Sequence, residues 1–170
     1  MMTTTGSPRT KKTRKPRKTA ATKKLPSNPF MNEILELVSE QKTDAKKVAL
    51  LKEYECDILK SLFIWNFDES VISLLPPGSV PYKANENPLG TDQSSLRREQ
   101  RNLYMFVKGG NDALSTIRRE TIFIQMLEGL HPKEADIVIA VKDKALEDKY
   151  DIPFEVVEEA YPDIEWGGRS

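Results

Sequence analysis

Nine cations fall between residues 9 and 24 with no acid among them: Arg9, Lys11, Lys12, Arg14, Lys15, Arg17, Lys18, Lys23 and Lys24. Side chains of this type at this density displace counterions from a polyphosphate, an attraction that needs no fold and weakens with salt. The same stretch has no aromatic residue to stack on a base. Contact with DNA or RNA through it is therefore predicted to be non-specific. Two readings compete with this one. The arm folds electrostatically onto its own acidic body or onto a protein partner, or it is a plain solubility tail.

A second cationic set lies on two predicted helices. Arg97, Arg98 and Arg101 belong to the first, Arg118 and Arg119 to the second, and a short Gly-Gly-Asn link joins them. Arg97, Arg101, Tyr104 and Lys108 recur at steps of four, three and four, which is one stripe of a helix. Guanidinium groups grip phosphate in bidentate fashion, and a tyrosine ring beside them offers a face to a base. The competing reading pairs these arginines with Glu99, Glu120 and the acidic C-terminal helices. Such pairing is the commoner fate of surface arginines and is favoured here.

The residue patterns of catalysis are missing. His131 is the single histidine and Cys56 the single cysteine, too far apart in sequence to suggest a nucleophile and its base. Glu128 and His131 have the i, i+3 spacing found in di-iron bundles, but those need a second histidine. His131 is predicted to be a polar turn residue or helix cap. Lys108-Gly109-Gly110-Asn111 has neither the spacing nor the strand context of a phosphate-binding loop. No metal, cofactor or enzymatic activity is expected. Cys56, among Tyr54, Ile58 and Leu59, reads as a plain buried thiol and fits a reducing cytosol.

The elements that must position these residues are helical. Ile34, Leu35, Leu37 and Val38 sit at helical spacing after a possible Asn28 or Asn32 cap, and a second helix follows from Asp44 to about Tyr54. Asp57 is the expected cap of a third, which holds the densest aromatic cluster, and Asp68 caps a short segment, residues 68–75. Residues 76–92, rich in proline and glycine, read as a long loop partly pinned by Val80, Tyr82 and Leu89. Thr91 or Asp92 caps the arginine helix, with Leu96, Leu103, Phe106 and Val107 facing inward, and Gly109-Gly110 ends it.

The centre is predicted to be a helical pair folded at Gly129-Leu130-His131-Pro132. Its first member is apolar on nearly every side after Thr121. The second contains the run Ile137 to Val141, which periodicity alone cannot separate from a strand but which the Pro-Lys-Glu-Ala-Asp lead-in tips to helix. A short helix from about Asp143 and another after Pro153 complete the chain. The whole is an all-α bundle of short helices, residues 30–170, behind a disordered basic arm, residues 1–29.

Charge divides the same way. The chain carries 26 cations and 26 anions, so residues 25–170 hold 17 cations against 26 anions: a cationic arm on an anionic body. No apolar run approaches the roughly 20 residues that span a bilayer, and the N-terminus lacks the apolar core of a signal peptide.

Four stretches together resemble a family of small proteins from large tailed bacteriophages of the T-even-like group, cyanophages included. They are Asn66-Phe67-Asp68 with Leu74-Leu75-Pro76; Leu103 to Gly110; Arg118 to Glu128; and Ala140 to Lys144. That family has no assigned activity, so the resemblance transfers no site residue. It implies a phage protein in a bacterial host cytoplasm, with the shared part starting near Met31. The expected role is a non-enzymatic accessory of phage nucleic-acid metabolism. The alternatives are an adaptor or inhibitor that binds a phage or host protein through the acidic residues 143–165, and a virion or assembly component.

Overall fold

The computed structural model describes residues 24–88 and 93–169. Within them the chain forms seven α-helices and two 3-10 helices, and its only β pairing is two isolated bridges, Ser73 to Val107 and Ser94 to Leu130. The expected all-α fold of short helices is what forms. The arm as far as Lys23 with its predicted disorder, the caps predicted at Thr91 or Asp92, and the anchor at Leu89 lie outside the described residues.

The helices are α1 (Met31–Ser39), α2 (Asp44–Glu53), α3 (Asp57–Phe67), α4 (Leu96–Glu99), α5 (Thr116–Gly129), α6 (Pro132–Lys142) and α7 (Phe154–Ala160). A 3-10 helix, Gln100–Phe106, continues α4, and a 3-10 turn, Leu146–Asp148, precedes α7. Helix α6 is central and packs on α1, α3 and α5, while α2 packs on α1 and α7. The ambiguous apolar run is thus helical. Pro132 occupies its first turn, where a missing N–H costs nothing, and His131 caps it by accepting the Lys133 amide on Nδ1 at 3.1 Å. Ala135, Ile137, Val138 and Val141 have no exposed surface.

Helix α5 departs from expectation. It is a surface helix with one buried face, made of Arg119, Phe123, Met126 and Leu127, and Ile117 is 80% exposed. Its apolar residues outnumber the positions that can face inward. Helix α1 is the more deeply buried, with six of its nine residues in the core. Residues 68–75 are not helical. The Asp68 carboxylate accepts the Ser70 amide at 2.9 Å, turning the chain so that Leu74 and Lys108 donate to the carbonyls of Phe106 and Ile72, each at 2.9 Å. The helix predicted from about Asp143 shrinks to the 3-10 turn.

The body also starts earlier than predicted. Leu25 packs against the core and its amide donates to the Tyr54 hydroxyl, while Pro29 is buried. The proline-rich loop is pinned as expected at Val80 and Tyr82. Lys142 reinforces it by donating to the carbonyls of Pro76 and Gly78, each at 2.9 Å.

One contact organises the start of two helices. Neither Asn28 nor Asn32 caps α1, whose N-cap residue is Phe30. Instead Glu134, fully buried on α6, accepts the Met31 amide at 3.0 Å and the Leu96 amide at 3.2 Å. Met31 and Leu96 are the first residues of α1 and α4, so both amides are among the unpaired donors that every helix start presents. Burial pushes the Glu134 carboxyl above the ordinary glutamate range, and the two amides pull it part of the way back.

Replacing Glu134 by Ala should lower unfolding free energy by about 2–4 kcal/mol, since each buried donor left unpaired costs about 1–3 kcal/mol. Because the folded protein holds the Glu134 proton more tightly than the unfolded chain does, stability falls as pH rises past the ordinary glutamate range. Urea titrations across acidic to neutral pH should show that decline in the parent chain and its absence from Glu134→Gln.

Candidate nucleic-acid interface

The predicted arginine helix forms in an unexpected shape. Ser95 starts it by accepting the Arg98 amide at 3.3 Å, and after four residues the α-helix tightens into seven residues of 3-10 helix. Runs of this length are uncommon, because the hydrogen-bond geometry is poorer than in an α-helix. Packing holds it. Leu96, Leu103 and Phe106 are buried, and the Phe106 ring meets Phe123 edge-on at 5.1 Å and lies parallel to Trp65 at 6.5 Å.

This segment forms one wall of a groove of about 750 Å³, with α3 as the other. Its floor is apolar, formed by Ile64, Val71 and Leu103 together with an edge of Trp65. Its rim is cationic: Arg97, Arg98, Arg101, Lys108 and Arg169, with no carboxylate among the lining residues. Tyr104 also lines the groove and is 51% exposed. The groove gathers Arg97, Arg101, Tyr104 and Lys108, but not as one helical stripe, since the helix ends at Phe106 and Lys108 lies beyond it. Tyr104 follows Arg101 by three residues, the repeat of a 3-10 helix.

The pairing expected for the arginines does not form. Among the described residues no ion pair reaches Arg97, Arg98, Arg101 or Arg118. Glu99 accepts from Ser94 and Asn102 instead, at 2.8 and 3.0 Å. Arg97 donates through Nε to the Pro29 carbonyl at 3.2 Å, which ties the groove to the entry of α1.

The second helix does not share the groove. Arg118 is exposed on the first turn of α5, away from the lining residues. Arg119 is inward, 5% exposed, and its guanidinium donates to the carbonyls of Met105, Asn111 and Leu114 at 2.9–3.1 Å. It is a brace for the link between the two helices and does not line the groove. A cationic side chain satisfies several carbonyls at once, which a helical stripe in the sequence cannot reveal. Of the arm cations only Lys24 is described. It is exposed and lines a different pocket, with Glu33 and Glu36 of α1 and Glu40 just after it.

Two contributors had no signal in the sequence. Gly110 does not end the helix as expected, since that stops at Phe106. A Cβ on Gly110 would lie 1.8 Å from the Tyr104 carbonyl oxygen and 3.2 Å from its ring, so only glycine lets the chain pass under Tyr104. Arg169 reaches the groove from the C-terminal tail. It pairs with the buried Asp68 at 2.6 Å, and Asp68 also accepts the Ser70 hydroxyl and the Gly167 amide at 2.6 and 3.0 Å. Burial alone would raise the Asp68 carboxyl. The Ser70 hydroxyl, the Gly167 and Ser70 amides and Arg169 outweigh it and hold the group at about 2.

Among the described residues no group of three or more acidic, histidine or cysteine side chains is placed to hold a metal, and no helix is long and apolar enough to cross a membrane. A family described as of unknown function, DUF6433, matches residues 34–148, a span that includes the whole 3-10 helix and Gly110 but stops short of Arg169. Comparison with the curated proteins and with the solved structures finds no match.

Gly110→Ala should displace Tyr104 and lower the melting temperature, whereas Gly78→Ala, in open space, should cost only the strain of its left-handed backbone. For Asp68 the folded pKa lies below the ordinary 3.8, so its contribution is complete above about pH 4 and is lost as pH falls toward 2. The stability gap between the parent chain and Asp68→Asn should close over that interval in acid denaturation.

Proposed function

Since the chain belongs to the DUF6433 family, whose function is unknown, its task has to be read from its own surface, and we propose that it is a non-enzymatic accessory protein that holds DNA or RNA. One observation carries this reading. Five cations line a single groove without a carboxylate, on a body in which anions outnumber cations by 26 to 17. Of the five, only Arg169 has an ion-pair partner among the described residues, the buried Asp68. Phosphates of a polynucleotide match both the charge and the fork geometry of guanidinium groups. The nine arm cations extend the same attraction, and the remaining acidic surface is left for a protein partner or for repelling the nucleic acid elsewhere. The resemblance to tailed-phage proteins supports a setting in the cytoplasm of an infected bacterium.

A second reading has its own observation. Lys24 lines an acidic pocket on α1, which favours an arm held on its own body and a chain that works through protein contacts.

Binding of mixed-sequence DNA and RNA across a salt series separates the two. The full chain should bind with a steep salt slope, because each phosphate neutralised releases counterions. Replacing Arg98 and Arg101 by Ala should weaken binding by at least about tenfold and reduce the slope by about 2, near one per lost phosphate contact. Omitting residues 1–23 should lower the slope further. No binding near physiological salt, or a slope indifferent to Arg98 and Arg101, would sink the groove reading and leave the adaptor reading ahead.

A further inference from the structure

We infer that the groove between α3 and the Gln100–Phe106 helix takes a single-stranded polynucleotide, with a base stacked on Tyr104 and the backbone followed by the cationic rim. This inference rests on the nucleic-acid reading above and narrows it to the strand state of the ligand. Three features of the groove discriminate between single strands and duplexes.

The floor is apolar and the rim charged. A duplex turns phosphates outward and keeps its base faces stacked within, so it could satisfy the rim but would leave the floor uncovered. An unpaired strand presents both surfaces together. This combination of cationic track and aromatic platform is the usual means of holding single strands without regard to sequence. The volume of about 750 Å³ falls within the roughly 300–1,000 Å³ of sites that enclose small-molecule-sized groups. An unstacked base is a group of that kind, whereas a double helix is far too wide.

Tyr104 is built for such a contact. It is half exposed while its neighbours Leu103 and Phe106 are buried. Its backbone is fixed from beneath by Gly110, whose missing side chain admits the chain at a distance no other residue would allow. A tyrosine needed only for packing would turn inward. The glycine accommodates the Tyr104 carbonyl and so fixes where the residue sits, while its ring is left to face the groove. Trp65 contributes an edge to the floor but is buried, and its indole N–H is occupied by the Ser73 hydroxyl at 2.6 Å, so it is floor and not platform. Arg97, Arg98 and Arg101 then stand beside Tyr104 on one short segment, where a strand stacked on the ring would bring its phosphates.

The test uses the full chain, a labelled mixed-sequence single strand as DNA and as RNA, and the same DNA as duplex, titrated at one near-physiological salt concentration. The parent chain should prefer the single strand to the duplex by about tenfold or more. Tyr104→Ala should cost about tenfold for the single strand, the fold-change expected when one stacked base is lost. It should change duplex binding by less than about twofold. Tyr104→Phe should retain single-strand affinity, since the ring and not the hydroxyl does the stacking. The Tyr104→Ala chain keeps its buried anchors, and an unchanged melting temperature checks that its loss is not unfolding. Equal binding of single strand and duplex, or a Tyr104→Ala chain indistinguishable from the parent, overturns the inference. If Arg98 and Arg101 still set the salt slope in that case, the nucleic-acid reading survives it. Absence of binding to all three ligands removes both.

Discussion

The carboxylate of Glu134 joins the centre of the fold to the site. It sits on α6, the helix against which α1, α3 and α5 pack, and reaches the first amides of α1 and α4. Burying a carboxylate is costly unless its lone pairs are met. Here they are met by groups that are themselves in need, because a helix start presents unpaired N–H groups and the positive end of its dipole. Helix α1 has no side-chain cap of its own, and α4 is a single turn that would not persist in isolation. The residue after Leu96 is Arg97, whose Nε meets the Pro29 carbonyl just before α1 begins. The cationic wall of the groove is therefore positioned from the core outward, through one acid and two backbone amides.

Several cations take a similar inward course and change the surface by leaving it. Lys47, Lys142 and Arg119 are buried, and each is directed at backbone carbonyls: Asp151 for the first, Pro76 and Gly78 for the second, and the link before α5 for the third. Lys144, the one non-glycine residue with a left-handed backbone among those described, aims its ammonium at the carbonyls of Trp65 and Asp68 at the end of α3. Most of these groups tie loop and connecting segments to the body, and Lys144 closes the end of α3. With the acids Asp68 and Glu134 buried as well, the outer surface keeps the anionic excess of the sequence count, and the five cations of the groove stand out against it.

What was legible in the sequence follows the range of the interactions concerned. The α6 lead-in, the His131 cap and the Pro132 start are local rules that hold, whereas the caps expected at Asn28 or Asn32 and at Asp57 do not form, because α1 and α3 begin without side-chain caps. Of the stripe Arg97, Arg101, Tyr104 and Lys108, only Arg101 and Tyr104 stand in file on the 3-10 helix, being three apart; Arg97 precedes it on α4 and Lys108 follows its end, and the groove gathers all four. Arg119 could not be told from Arg118 by spacing, since the choice between carbonyls and solvent depends on where the preceding link folds. Glu134 reads as an ordinary first-turn acid of α6; its true partners lie 103 and 38 residues away. Arg169 is 101 residues from Asp68, and nothing near either residue foretells the pair. The surface placement of α5 was missed because its apolar content says how much could be buried and not how much neighbouring surface exists to bury it.

The 3-10 helix has a further consequence, which concerns registration. With about three residues per turn and a rise near 2.0 Å, residues three apart stand directly in line, roughly 6 Å from one another along the axis. Arg101 and Tyr104 therefore form a straight file instead of the gradually drifting row of an α-helix. Such a file is indexed by residue count. Deleting one residue between Arg101 and Tyr104 would turn the ring by about a third of a revolution toward the side that holds Leu103 and Phe106, and inserting one would turn it as far the other way, toward that of Met105. Length in this segment is thus a constraint separate from residue identity: an indel is the kind of change that erases the groove's alignment while every residue type within it is retained.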